Sequence, residues 1–241
     1  MKKSVLATLL AAVLPFAVHA ANWSYSGDTG VATWGEHYPT CEFGENQSPI
    51  NITKAYNTHL EPLNIHYQGD VAKIINNGHT IEAVVEGNNT LTLDGDVYTL
   101  KQFHFHTPSE NHINGKTFPM EAHFVHQDAE GNLAVLAVMF QNGIRENDAL
   151  GKITAHIPSN GKSVELKGSL SPADLLPPYY GTYYRFNGSL TTPPCSEGVR
   201  WVVVKDTQTA SKDQISAMHS MMGKNARPVQ DINARVVVGN R

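Results

Sequence analysis

Residues 100–106 read Leu-Lys-Gln-Phe-His-Phe-His. Side chains of a β-strand alternate between its two faces, so Gln102, His104 and His106 share one face. The two phenylalanines between them point the other way, where they can enter a core. The pattern therefore predicts a strand with one apolar face and one face that carries two imidazoles.

A second stretch at residues 121–126, Glu-Ala-His-Phe-Val-His, repeats this alternation and places Glu121 and His123 on one face. If the two strands pair, three imidazoles converge. Three protein ligands with one open position are typical of catalytic zinc sites. A metal-bound imidazole usually donates its other N–H to an acceptor, and Gln102 and Glu121 each lie two residues before a histidine, on the correct face. Glu121 could instead be a solvated strand carboxylate.

The remaining periodicity predicts a chain dominated by β-strands, with one domain and a few short peripheral helices. Apolar residues, many of them β-branched or aromatic, recur at every second position in several segments. The predicted strands are 91–93, 97–106, 121–125, 133–140 and 200–204, and short amphipathic helices are expected at 147–153 and 212–222. The sequence contains neither a linker nor an internal repeat that would divide it.

The first twenty residues have the composition of a cleavable secretory signal. Lys2 and Lys3 precede an apolar run from Val5 to Leu14, and the small residue Ala20 marks the expected cleavage site. We therefore expect a signal peptide at 1–20, a domain at 21–241, and a soluble protein that is periplasmic or secreted. The net charge of −4 gives no reason to expect binding to nucleic acid, and no segment is long enough for membrane insertion.

The two cysteines, Cys41 and Cys195, are expected to form a disulfide, because an exported chain with a single pair usually joins it. Two free buried thiols are the alternative.

The segment at 189–195, Ser-Leu-Thr-Thr-Pro-Pro-Cys, is a rigid loop, because each proline fixes φ and restricts the residue before it. Threonines in such a loop are ordinarily structural. Beside an open metal position, however, a fixed hydroxyl can accept a hydrogen bond if a carboxylate takes its own proton. Glu110 is a candidate for that carboxylate, although spacing alone does not establish the pairing.

Five motifs in this order resemble those of the α-carbonic anhydrase family. They are Gln-Ser-Pro-Ile at 47–50, Asn-Gly-His at 77–79 and the segments at 102–106, 121–126 and 189–195. The resemblance extends from Trp23 to about Arg235. It implies a mainly β (α+β) single domain around a large, mostly antiparallel twisted β-sheet. It also implies cis bonds at Ser48–Pro49 and Pro193–Pro194.

The resemblance also implies a role for each matching residue. His104, His106 and His123 would hold one Zn²⁺ per chain, with Gln102, Glu121 and the backbone carbonyl of Asn225 supporting them. Thr191 would orient a zinc-bound hydroxide and donate its own proton to Glu110, and His79 would be the proton shuttle. The substrate pocket would be formed by Val125, Val135, Leu190, Thr192, Val199 and Trp201, and the solvent side by Tyr25 and Asn77. Ordinary core positions for the apolar residues and a turn position for His79 are the alternatives.

The activity implied by the resemblance is the reversible, zinc-dependent hydration of carbon dioxide. Carbon dioxide and bicarbonate would be the substrates, and anions and sulfonamide-type compounds the inhibitors. An inactive binding module of the same fold and a zinc esterase are the competing functions, whereas the sequence lacks the His-Glu-x-x-His motif of metalloproteases. The sequence leaves open whether the protein is a monomer or a homodimer.

Overall fold

The computed structural model describes residues 22–166 and 168–240, so the predicted signal peptide at 1–20 lies outside it. Within these ranges the chain forms fifteen strands, which are β1 (Asn51–Ile52), β2 (Tyr56–Asn57), β3 (Asn64–Tyr67), β4 (Val71–Asn76), β5 (Ile81–Val85), β6 (Asn89–Leu93), β7 (Asp96–His106), β8 (His112–Ile113), β9 (Met120–Gln127), β10 (Leu133–Gly143), β11 (Lys162–Glu165), β12 (Tyr183–Ser189), β13 (Glu197–Val204), β14 (Gln208–Ser211) and β15 (Val238–Gly239).

Four short α-helices and three 3₁₀ turns complete the described chain. The helices are α1 (Trp34–His37), α2 (Thr40–Phe43), α3 (Asp148–Thr154) and α4 (Lys212–Met222), and the 3₁₀ turns are Gly27–Thr29, Val31–Thr33 and Pro172–Leu175. Helices α3 and α4 lie where the apolar periodicity predicts them. In the described part of the chain, no helix is both long and apolar enough to cross a membrane.

Thirteen of these strands form one large mixed sheet, whose main path runs β11-β4-β5-β7-β9-β10-β13-β12-β15-β2. Most neighbours are antiparallel, and the parallel pairs are β10 with β13, β10 with β14 and β15 with β2. The predicted pairing of the two histidine strands is present, because His104 of β7 lies opposite His123 of β9. The mainly β fold with few short helices is therefore confirmed.

The register places the predicted site residues in two transverse rows on one face of the sheet, because directly opposed residues share a face. The first row contains Glu82, His104, His123, Ala137 and Val203, and the second contains Val84, Gln102, Val125, Val135 and Trp201. Trp201, Val135 and their neighbours form a small core on this face. The larger core, which contains Phe103, Phe105 and Phe124, lies on the opposite face.

A disulfide joins Cys41 to Cys195 over a sequence separation of 154 residues, with the two Cα atoms 5.1 Å apart. It connects helix α2 to the loop that carries Thr191. The structure has cis peptide bonds at Ser48–Pro49 and Pro193–Pro194, and also at Thr107–Pro108, which the sequence reasoning did not anticipate.

Candidate metal centre

Three imidazoles converge where β7 and β9 pair. His104, His106 and His123 each offer a ring nitrogen, and these three atoms all lie within 4.8 Å of one another. The ring centroid of His104 is 5.1 Å from that of His106 and 5.4 Å from that of His123. The His106 and His123 centroids are 4.5 Å apart. Strand alternation puts the two histidines of β7 on one face, and the strand register brings the third beside them.

Two of the three rings have a fixed orientation. His104 Nδ1 donates to Gln102 Oε1 at 2.8 Å, and His106 Nδ1 donates to the backbone carbonyl of Asn225 at 2.7 Å. In both rings this leaves Nε2 as the nitrogen with a free lone pair. His106 Nε2 is buried and has no hydrogen-bond partner among the described residues. A buried nitrogen of this kind is costly unless a ligand pairs with it.

His123 has its Nε2 3.0 Å from Glu121 Oε1, although the contact lacks the alignment of a hydrogen bond. Glu121 is itself held firmly, because its carboxylate accepts from the backbone N–H groups of Glu110 and Asn111 and from the Asn111 side-chain amide, at 2.7, 2.9 and 2.8 Å. The carboxylate therefore lies beside His123 in a fixed position, and Nδ1 is the nitrogen of that ring left to face the other two imidazoles.

Burial lowers the pKa of all three histidines, and for His104 and His123 the mutual repulsion of the rings adds to the effect. The imidazoles are accordingly neutral, which is the form that binds a metal. Both cysteines are in the disulfide, so this is a nitrogen-only donor set. Three neutral imidazoles fit Zn²⁺ with an open fourth position.

A buried carboxylate lies beside the trio. Glu110 Oε1 accepts from the backbone N–H of Arg227 at 2.8 Å, and it lies 3.5 Å from His106 Nδ1. Burial raises the pKa of Glu110 well above its ordinary value, and the Arg227 N–H and the nearby Thr191 hydroxyl oppose this rise. Glu110 Oε2 nevertheless has no hydrogen-bond partner among the described residues. Thr191 is thus close to Glu110, but no hydrogen bond joins the two residues.

Apolar side chains cover the other side of the trio. The Trp201 ring packs edge-on against the His123 ring, with centroids 4.9 Å apart. Trp201 Nε1 donates to the Ser189 carbonyl at 3.0 Å. Val125 and Val135 are paired in the row that contains Trp201. The predicted pocket residues differ in exposure: Val135, Val199 and Trp201 are buried, and Val125, Leu190 and Thr192 are half-buried.

The residues of the predicted solvent side, His79, Asn77 and Tyr25, lie near Trp23 and its turn neighbours. His79 follows a turn in which Asn77 Oδ1 accepts from the backbone N–H groups of His79 and Thr80 at 3.0 and 2.9 Å. The His79 ring stacks on Trp23 with centroids 3.8 Å apart, and burial lowers its pKa. Tyr25 packs edge-on against Trp23, and burial together with the charge of Glu110 raises the pKa of its hydroxyl.

Sequence reasoning missed three residues that build this site. Asn111 fixes Glu121, Trp23 stacks on His79, and Arg227 orients Glu110 through its backbone. The Arg227 guanidinium also donates to Gln47 Oε1 and to the carbonyls of Ser48 and Cys41, which ties the Glu110 loop to the disulfide. Only Asn111, one residue after Glu110, carried a local signal, because Trp23 and Arg227 act across long sequence separations.

Comparison with known proteins gives one consistent result. The family model for eukaryotic-type carbonic anhydrases matches residues 29–241. A carbonic anhydrase of Klebsiella pneumoniae is 45% identical over 238 residues, which is 96% of each chain. The solved α-carbonic anhydrase of Photobacterium profundum is 55% identical with a TM-score of 0.88, covering 90% of this chain and 100% of that one. The Thermovibrio ammonificans α-carbonic anhydrase, solved with the inhibitor sulfanilamide, is 46% identical with a TM-score of 0.87, covering 90% and 99%.

Proposed function

We infer the reaction from the family: the chain belongs to the eukaryotic-type carbonic anhydrases, and it catalyses the reversible hydration of carbon dioxide to bicarbonate and a proton. We propose that His104, His106 and His123 hold one zinc ion for this reaction. The observation that supports this assignment is the convergence of three neutral imidazoles, two buried and that of His104 half-buried, with ring nitrogens within 4.8 Å of one another.

When bound, zinc lowers the pKa of water so that hydroxide is available near neutral pH, as is established for carbonic anhydrases. The protein contributes the orientation of the ligands. Gln102 and the Asn225 carbonyl each hold an Nδ1–H, and Glu121 lies beside His123 Nε2. These contacts fix which nitrogen of each ring is presented to the metal.

We propose that Thr191 and Glu110 orient the hydroxide that attacks carbon dioxide. The carboxylate oxygen Glu110 Oε2 is buried without a partner, and the Thr191 hydroxyl is the neighbouring donor. A threonine that donates a hydrogen bond to this oxygen keeps its lone pairs towards the trio, where they can accept a hydrogen bond from the attacking hydroxide. The Arg227 N–H keeps the carboxylate in place.

The apolar wall of Val125, Val135 and Trp201 suits carbon dioxide, which has no charge and needs no hydrogen-bond donor. Leu190, Thr192 and Val199 complete this wall in our proposal. The net reaction releases a proton, and we assign its removal to His79, whose imidazole is half-buried beside Trp23 on the polar side. Asn77 fixes the turn that carries His79, and Tyr25 lies beside Trp23.

The test of this function is carbon dioxide hydration, measured by stopped-flow, together with zinc content. The intact protein should contain one zinc per chain and lose activity when a chelator removes it. His104→Ala should lose both zinc and activity, because two ligands do not retain the metal. His66→Ala, which removes an exposed imidazole from β3, is the matched control and should keep both. Full hydration activity in the zinc-free protein would contradict the proposal.

We propose further that the mature protein is the domain 21–241 and that it acts in the periplasm or outside the cell. The predicted leader and the Cys41–Cys195 disulfide support this, because disulfides persist in oxidising compartments. The N-terminal sequence of the protein recovered from a periplasmic fraction should begin at Ala21. A protein that retains Met1 and stays with the cytoplasmic fraction would contradict export.

We also propose that sulfonamides inhibit this chain at the same centre, since the Thermovibrio ammonificans relative was solved with sulfanilamide. Sulfanilamide should displace thiocyanate in competition, and removal of zinc should abolish its binding. Equal binding to the zinc-free protein would contradict a shared site.

A further inference from the structure

Glu82 lies next to the histidine trio in the transverse row that the strand register defines. It is directly opposite His104 in the antiparallel pair of β5 and β7, and His104 is in turn opposite His123. Directly opposed residues point to the same face with Cβ atoms about 4.5–5.5 Å apart. Glu82 is therefore adjacent to His104 on the face of the sheet that carries the trio.

Glu82 differs from the other two carboxylates near the trio. Glu110 and Glu121 are fully buried and accept hydrogen bonds from backbone N–H groups. Glu82 is half-buried, and it makes neither a hydrogen bond nor an ion pair within the described residues. Burial raises the pKa of its carboxyl, and the positive charge of Lys73 on the neighbouring strand β4 opposes the rise. The charge of Glu82 is thus compensated in part by Lys73 and by no hydrogen bond among the described residues.

This placement matters because the substrate and the product of the reaction differ in charge. Carbon dioxide is neutral and bicarbonate is an anion, so a negative charge beside the centre repels the product and not the substrate. We propose that Glu82 is a specificity-determining residue that weakens the binding of bicarbonate and other small anions at the metal centre and thereby favours product release. This inference rests on the proposed zinc site.

Calorimetric titration of thiocyanate and of bicarbonate into the zinc-loaded protein tests the proposal, at pH 8 and constant ionic strength. Glu82→Gln should lower the dissociation constant for both anions by about threefold to thirtyfold, the range expected for one nearby charge in a partly hydrated site. Its kcat/KM for carbon dioxide hydration should stay within about twofold of the unaltered protein. Glu82→Asp, which keeps the charge, should bind anions like the unaltered protein.

Glu86→Gln is the matched control, because it removes the same charge from an exposed residue just after β5, where solvent and salt screen it. Lys73→Gln provides an independent check, since loss of the positive charge should raise the dissociation constants. It also tests the proposal if Glu82→Gln fails to fold.

Three results would overturn the inference. The first is an unchanged anion affinity in Glu82→Gln, and the second is an equal gain in Glu86→Gln, which would show a general effect of net charge. The third, for a Glu82→Gln variant that does not fold, is tighter or unchanged anion binding in Lys73→Gln. If the unaltered, zinc-loaded protein neither binds anions nor hydrates carbon dioxide, the proposed function itself is wrong and this inference falls with it.

Discussion

His126 provides a quantitative test of the electrostatic description, because it is a buried histidine that is not part of the trio. Its side chain lies on the opposite face of β9, where its Nε2 accepts from the Tyr67 hydroxyl at 2.7 Å and its Nδ1 faces the Ala134 carbonyl at 3.3 Å. The residue is fully buried, and burial lowers its pKa from 6.5 to about 4, against the opposing effect of two backbone carbonyls.

The consequence for stability follows from proton linkage. Between pH 6.5 and pH 4 the unfolded chain binds a proton at this residue that the folded chain refuses, so the folded state loses stability as the pH falls through this window. With a folded pKa of about 4, the loss between pH 7 and pH 5 is about 2 kcal/mol. Above the unfolded pKa of 6.5 the imidazole is neutral in both states, so this loss of stability is nearly absent at neutral pH.

The assay is urea unfolding at pH 7, 6 and 5, comparing the unaltered chain with His126→Gln, which keeps an acceptor for Tyr67. The glutamine variant should be less stable at pH 7 because its packing is altered, and the difference should shrink by about 2 kcal/mol at pH 5. Other acid-sensitive groups, the metal ligands included, cancel in this comparison. His66→Gln, which replaces an exposed histidine of β3, is the matched control. A difference between the unaltered chain and His126→Gln that stays constant from pH 7 to pH 5 would show that burial does not lower the pKa of His126.

Three further predictions follow from the contacts around the centre. Glu121→Gln should weaken zinc affinity by roughly 10- to 100-fold in chelator competition, and unchanged affinity would show that its contact with His123 does not support the metal. Replacing Cys41 and Cys195 together by serine should lower the unfolding free energy by up to about 5 kcal/mol in urea titrations, because the disulfide closes a 154-residue separation, and an unchanged midpoint would contradict this. His79→Ala should lower kcat for hydration by roughly 10- to 100-fold with kcat/KM preserved, and imidazole buffer should restore the loss. An unchanged kcat in dilute buffer would leave His79 as a turn residue.

Local alternation explains why much of the site could be predicted from sequence. The spacing of Gln102, His104 and His106 assigns one face of β7, and strand β7 is present at Asp96–His106. Helix α4 occupies the predicted range because its apolar period and its Ser211 cap are both local features. Such patterns depend on a few consecutive residues, so they can be recognised before the fold is known.

The contacts that the sequence could not supply join distant segments. His106 donates to a carbonyl 119 residues away, at Asn225, and only the family resemblance suggested that partner. Arg227 reaches back 186 residues to the Cys41 carbonyl, and no periodicity encodes that contact. Glu82 has an unremarkable place in its own strand, and only the register of β5 against β7 reveals its position beside His104.

Anomalous X-ray diffraction on both sides of the zinc absorption edge would show directly whether His104, His106 and His123 hold one zinc ion. We expect one anomalous peak per chain, bonded to one nitrogen of each ring at about 2.0–2.1 Å, with a non-protein ligand in the fourth position. A zinc peak bound elsewhere in the chain, or a zinc-loaded crystal with no peak between these three rings, would contradict it.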